Sequence, residues 1–468
     1  MTETPPGRPC RHSAVQPISR TRALLAAALA ACCLISPAFA DPLPPAWTWT
    51  APADIEWVEP VPTHALLLVA TAAGQVYVLD ARSRADRRAP PLAARPGVVY
   101  AGAAPEHGLA CCHDRLSVYA IELESPARLR WQVDAWQVGE ADAPQAQRGD
   151  PEDLRRLLAA QATPDGVLIV RDDGRVGSLE LRSGTLLWQH RLGNLTDVQI
   201  RVAGRHAALL WRRGPEIGAE LVDLTDGEWE TFGLPEETPW PVWSGLVTRG
   251  LVCAYPDRIT LSDLSGTTVL HTADERQPIR LASLSRCRLP SADRLEPPHD
   301  ALIFVTAAGR WQALDLQTGA SRWTIQDQPA HPTAWIATQV TDDLLITTTA
   351  RVAEARAIAT GRCILRFESH AADLMAVHAD GPALSLLSIS ATKRPAWPTL
   401  TVATLPDMAG PLPELRALSY PLDCPNPPAQ FTWVGDTLVL VTKRALHAFT
   451  RPNLNPQIAC PPPPFALR

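Results

Sequence analysis

The first strong pattern along the chain is an unbroken apolar run, Leu66-Leu67-Leu68-Val69-Ala70, followed by a turn at Gly74 and an alternating return. On that return Val76 and Val78 share one face of a strand and Tyr77 and Leu79 the other, because side chains alternate with period two. The glycine suits a tight turn, where positive φ carries no Cβ penalty. Asp80 ends the unit. The same spacing returns without gaps as Gly174…Leu179-Glu180 and Gly309…Leu314-Asp315. These two continue further, to Gly184 and Trp188 and to Gly319 and Trp323. The second glycine predicts another turn, and the tryptophan an outer strand with a buried ring. The unit is a β-meander.

Weaker copies fill the intervals: Leu116–Glu122 leads to Trp131, Ala219–Asp223 to Gly227, and Ile259–Asp263 to Gly266. Val352–Ala357 leads to Gly361 and to Leu365, which stands in the place of the tryptophan. The corresponding positions are 80, 122, 180, 223, 263, 315 and 357, at intervals of 42, 58, 43, 40, 52 and 42. Leu384–Leu405 and Thr437–Phe449 are two further candidates. Four strands per unit at this spacing predict an all-β fold, a β-propeller of antiparallel blades. Nine candidate units can be marked. Seven or eight blades are expected, with Leu384–Leu405 the first unit to be discarded. Trp47-Thr48-Trp49 precedes the first meander and is expected to supply the missing outer strand of the last blade, joining the two ends of the chain.

Gly-x-x-x-x-Leu-acid-x-x-x-Gly-x-x-x-Trp resembles the pyrroloquinoline-quinone-like (PQQ-like) propeller repeat, complete at two units (with Glu180 in one and Asp315 in the other), partial at others, and spanning most of residues 45–456. That resemblance implies a seven- or eight-bladed fold, shared by quinoprotein dehydrogenases and by non-enzymatic periplasmic propellers. One fold carries many functions, so the resemblance bears on architecture more than on activity.

Composition narrows the picture. Of 468 residues, 46 are proline and 26 glycine, which disfavours long helices. Hydrophobic residues make up 46% and charged residues 20%, enough apolar material for a large core. The net charge is −6, without a basic stripe, and a nucleic-acid partner is not expected.

The first forty residues are expected to be an address. Arg20 and Arg22 precede an apolar run from Ala23 to Ile35, and Ala38-Phe39-Ala40 forms a cleavage signature. Cleavage after Ala40 would leave 41–468 as the mature, periplasmic or secreted propeller. As an alternative, Leu29-Ala30-Ala31-Cys32 resembles a lipobox, with Cys32 lipidated as a membrane anchor. No later stretch reaches the length of a membrane span. If lipidated, the chain would resemble the propeller lipoprotein of the outer-membrane β-barrel assembly machinery. Within the longest interval, Asp150-Pro151-Glu152-Asp153 looks like a helix start, with Leu154, Leu157 and Leu158 as an apolar stripe, so a short helical insertion is expected near 136–162. A proline-rich tail ends the chain.

Seven cysteines follow the leader: Cys111, Cys112, Cys253, Cys287, Cys363, Cys424 and Cys460. An odd number leaves at least one unpaired, and Cys424 with Cys460 is a candidate clip for the C-terminus. The adjacent pair Cys111-Cys112 is the most suggestive chemical feature. In some PQQ alcohol dehydrogenases a vicinal cysteine disulfide lies beside the quinone, so by resemblance these two are candidate quinone contacts. A buried structural strand that runs into a turn at His113-Asp114 is the favoured reading. No metal ligands or catalytic residues are assigned: His64, His113, His190, His378 and His447 are scattered. Asp80, Glu180, Asp223, Asp263 and Asp315 read as turn residues, and Trp131, Trp188 and Trp323 as packing between blades. The expectation is an exported, non-enzymatic propeller that binds an envelope protein as a scaffold and needs no cofactor. The alternative is a dehydrogenase dependent on PQQ and calcium.

Overall fold

The computed structural model describes residues 42–82, 97–124, 127–134, 156–235, 238–287, 299–326, 335–340, 344–349, 351–368, 373–380, 383–389, 398–404 and 417–450. Its strands form nine antiparallel sheets in chain order, eight of four strands and one of three. The first strands of neighbouring blades run side by side from blade 2 round to blade 9 and from blade 9 to blade 1, and blades 1 and 2 share an apolar cluster, so the sheets stand around a common axis. The three-stranded blade 1 comprises Ile55–Val61, Leu66–Thr71 and Val76–Asp80. Blade 9 takes its first three strands from Gln430–Val434, Thr437–Val441 and Ala445–Thr450, and its fourth from Trp47–Thr50. Trp47 pairs with Ala448 and Thr50 with Ala445, so the two ends of the described chain share one sheet, as the tryptophan pattern predicted. The outer edge of blade 9 is thereby made by the start of the chain.

Nine hydrophobic clusters occupy the nine seams between blades. Second strands contribute to a seam on each side, which explains why Leu66–Ala70 is apolar throughout rather than alternating. Leu66, Leu68, Val76 and Val78 enter the seam with blade 2, while Leu67, Val69 and Leu79 enter the seam with blade 9.

The repeating residues form a lock at the rim. Trp131 of blade 2 donates its indole N–H to the Leu181 carbonyl of blade 3 at 2.8 Å. Trp188 donates to Leu224 of blade 4 at 3.2 Å, and Trp323 to Ile358 of blade 7. Trp47 closes the ring in the same way, donating to Ala81 of blade 1 at 3.0 Å. Each acceptor follows the acid position of its blade. The turn glycine beneath the ring is required twice over. Gly184 (φ 71°), Gly227 (φ 76°) and Gly361 (φ 68°) adopt a left-handed conformation, and a Cβ there would lie 2.6–2.9 Å from the indole. The acids close the adjoining turns. Asp223 accepts the backbone N–H of Thr225, and Asp315 those of Gln317 and Thr318, at 2.8–2.9 Å.

Three expectations are corrected. The blade count is nine, not seven or eight. The unit at Leu384–Leu405 is a genuine blade of four strands, Asp373–Asp380, Ala383–Ile389, Pro398–Thr404 and Ala417–Pro421. It lacks the glycine, acid and tryptophan of the motif, with Thr404 at the acid position. It is held by Leu384 and Leu386 in one seam and by Leu387 and Leu400 in the next. The expected helix near 136–162 is likewise revised at its end, because Leu157–Ala162 is the first strand of blade 3. Leu157 packs toward blade 2 and Leu158 toward blade 4, so consecutive leucines serve opposite faces of a strand rather than one stripe of a helix. Residues 136–155, residues 1–40 where a leader is expected, with Cys32, and the stretch from 451 with Cys460 lie outside the described residues. Among the described residues no helix is long and apolar enough to cross a membrane.

Candidate functional site

The vicinal cysteines stand on the second strand of blade 2, Leu109–His113, and both are fully buried. Alternation sends them apart. Cys112 enters the seam with blade 1, and Cys111 the seam with blade 3. Both are free thiols, and burial pushes Cys111 up to about 12 and Cys112 higher still. A quinone contact needs two adjacent sulfurs facing one space, and these face two separate apolar cores, so the pair does not fit that group. The strand ends as expected in a turn, where Asp114 accepts N–H bonds from Leu116 and Ser117 at 2.6 and 2.8 Å.

His113, His190 and His447 are not brought together among the described residues. His113 is buried beside the Asp114 carbonyl, His190 contacts the Gly227 carbonyl, and His447 contacts Thr48 on the closing strand. Among the described residues no group of three or more His, Cys, Asp or Glu side chains could hold a metal ion.

The inner ring offers a different kind of site. Pairing can be followed inward from the third-strand residue two before each acid position: in blade 1 from Val78 to Leu68 to Glu59. The same path in the other blades reaches Gly102, Gln161, Arg201, Gly245, Ser283, Gln339, His378 and Thr432. Every one is polar or glycine. The next residue of each strand is apolar throughout, running Pro60, Ala103, Ala162, Val202, Leu246, Leu284, Val340, Ala379 and Trp433. One register level of the innermost strands therefore forms a polar girdle around the axis.

Two of its glycines are explained by crowding. A Cβ at Gly102 would lie 2.8 Å from the Ala162 Cβ, and one at Gly245 2.3 Å from the Trp243 ring. Arg201 is half-buried and bridges blades 4 and 5. Its Nε donates to the Ser244 carbonyl at 2.8 Å, Nη1 to the Ile200 carbonyl at 2.9 Å and Nη2 to Gln199 Oε1 at 3.1 Å. Ser244 Oγ donates to the same Gln199 oxygen at 2.8 Å. No carboxylate pairs with Arg201 among the described residues, and burial holds its guanidinium below the usual range.

Glu59 lies on the face of its strand that meets blade 2, between Trp57 and Val61, which both pack into that seam. Burial raises its carboxyl above the ordinary range. Tyr100, on the first strand of blade 2 (Val99–Ala104), has its phenol raised first by burial and then by the charge of Glu59. The Trp57 and Tyr100 rings lie 5.9 Å apart, and Trp57 Nε1 is anchored to the Val98 carbonyl at 2.6 Å.

The girdle was not anticipated from the sequence. The local signal was present as single polar residues inside apolar strands, as in Trp57-Val58-Glu59-Pro60-Val61, but their common level depends on register. The level carries one acid, Glu59, one guanidinium, Arg201, and one imidazole residue, His378, at separate points on the ring, and where side-chain contacts are described they reach toward the next blade.

No family model matches the chain, and no curated protein matches it. Solved structures similar to it include BamB from Moraxella catarrhalis, at 14% identity, covering 73% of this chain and 96% of that one with a TM-score of 0.43. Another is the WD40 domain at the C-terminus of Sif2, at 11% identity, 73% and 92% coverage, and a TM-score of 0.44. A third is Sqt1 from Saccharomyces cerevisiae, at 9% identity, 88% and 99% coverage, and a TM-score of 0.46. The propeller is established by the strand pairing itself and not by these resemblances.

Proposed function

We propose that this chain is an exported, non-enzymatic β-propeller that serves the cell envelope as a protein-binding scaffold and uses no cofactor. The observation that carries the reading is where the recurring side chains go. The acids close turns, and the tryptophans lock one blade to the next. The surfaces offered outward are the polar girdle and the outer strands, where Leu187 on Leu186–Arg191 and Val269 on Gly266–Thr272 are about half exposed. Edge strands of this kind accept a partner's strand through free backbone groups.

The test is a photo-crosslinking residue at Leu187 or Val269 in the exported protein. Discrete adducts with envelope proteins are expected from at least one site. Stoichiometric binding of PQQ with calcium, accompanied by dye reduction on alcohols or sugars, would overturn the reading. Export by cleavage after Ala40 is part of the proposal, with lipidation of Cys32 as its alternative. The N-terminal mass of the mature protein separates the two.

A further inference from the structure

Glu59 is an anomaly in its row. Trp57, Glu59 and Val61 alternate on one face of the first strand of blade 1, and the two flanking residues pack into an apolar seam. A half-buried carboxylate in such a place is unfavourable unless it is hydrogen-bonded or paired with a cation. Among the described residues Glu59 has neither an ion pair nor a hydrogen bond, and the Tyr100 hydroxyl has no hydrogen-bond partner. The girdle's arginine does not neutralise it, because Arg201 stands three blades away and is held by Ser244, Ile200 and Gln199. Trp57 shares the strand face with Glu59 and is fixed by its own hydrogen bond, and the Tyr100 ring lies 5.9 Å from the Trp57 ring, near enough for its phenol to feel the Glu59 charge. An acid with no partner among the described residues, near two aromatic rings, attracts a cation with some apolar surface, through charge and through the ring quadrupoles. A neutral or anionic group would leave the carboxylate uncompensated.

We infer that Trp57, Glu59 and Tyr100 form a receptor for a basic side chain, a lysine ammonium or an arginine guanidinium, that a partner protein inserts at the seam of blades 1 and 2. This rests on the scaffold reading and names the chemistry of its partner. The aromatic faces hold the alkyl stem or the planar head, and the carboxylate supplies the counter-charge.

The experiment uses the purified full chain and calorimetric titration with a short peptide carrying one lysine, its arginine twin and its norleucine twin. Binding of either basic peptide and not of the norleucine peptide is expected, the stronger of the two identifying the head group. Glu59→Gln should weaken that binding about tenfold or more, while Glu59→Asp should retain most of it. The melting temperature of Glu59→Gln should be unchanged or raised, because a half-buried charge is removed. Equal binding of the norleucine peptide, undiminished binding by Glu59→Gln, or a lowered melting temperature would each overturn the inference, the last by showing that the chain already pairs this acid. If no peptide binds while crosslinking at Leu187 or Val269 persists, this site fails and the scaffold reading stands. PQQ-dependent turnover would remove both.

Discussion

At the rim of the ring, Trp47, Trp131, Trp188 and Trp323 each reach a carbonyl of the following blade. On the innermost strands, by contrast, the level of Glu59 changes identity from blade to blade: acid, glycine, amide, guanidinium, hydroxyl. The difference follows from what each region has to accomplish. Every seam poses the same packing problem, so one solution can be repeated around the circle. A partner that meets one seam at this level reads only that seam's side chains, so they need no repetition. Periodic side chains build the ring, and aperiodic side chains at a common level distinguish one sector of it from another.

The sharpest way to break this contrast is at the closing strand. Trp47→Ala removes a buried ring and its hydrogen bond at the one seam that joins the two ends of the described chain. A loss of about 3–5 kcal/mol is expected, measured by urea unfolding. A loss below about 1 kcal/mol would mean that the rim lock is incidental packing. The turn glycine should come next. Gly184→Ala forces a Cβ into a left-handed residue and toward the Trp131 ring, 2.8 Å away. The conformational part costs roughly 1–2 kcal/mol, with overpacking added to it. Gly204→Ala is the control, since Gly204 is also left-handed (φ 59°) but has open space around its Cβ direction. If the two substitutions cost the same, the ring does not depend on close approach at Gly184.

How much of this was readable beforehand divides along the same line. The motif at Gly174 and Gly309 marked strands, turns and rim tryptophans, because its residues are chosen by local geometry: positive φ, turn closure, a buried indole. The closure by Trp47-Thr48-Trp49 was readable for the same reason. Blade 8 was hard to read because packing by Leu384, Leu386, Leu387 and Leu400 needs none of those local devices. The leucines at 157 and 158 misled because two adjacent apolar residues suit either a helix stripe or a strand buried on both faces. The girdle was invisible for a deeper reason. Glu59 and Arg201 share a level only through two steps of strand pairing, and no spacing along the chain encodes that.

A smaller effect concerns protons at the seams. Burial holds His113, His271 and His447 below the ordinary histidine value of 6.5. The unfolded chain then binds more protons than the folded one as pH falls below 6.5, so this contribution is complete above that value and declines beneath it. His447 lies on the strand that pairs with the closing segment and contacts Thr48 at 3.3 Å. Melting temperature should therefore drop as pH is lowered from 7 toward 5, and His447→Gln should flatten the slope. A profile that rises toward acid would contradict the burial of these rings.

The smallest change is expected in the girdle itself. Arg201→Met removes three hydrogen bonds to oxygen acceptors, each worth about 0.5–1.5 kcal/mol net for an ordinary bond and more for a charged donor. It also removes a half-buried cation that no carboxylate among the described residues compensates, which relieves a desolvation penalty of comparable size. Gln199 keeps its bond from Ser244 Oγ, so the substitution does not leave that side chain orphaned. The methionine stem can occupy much the same path between blades 4 and 5. Stability should stay within about 1 kcal/mol of the parent by urea unfolding. A loss as large as that of Trp47→Ala would place Arg201 among the groups that hold the ring together, and the separation between a structural rim and a recognition girdle would fail at that blade.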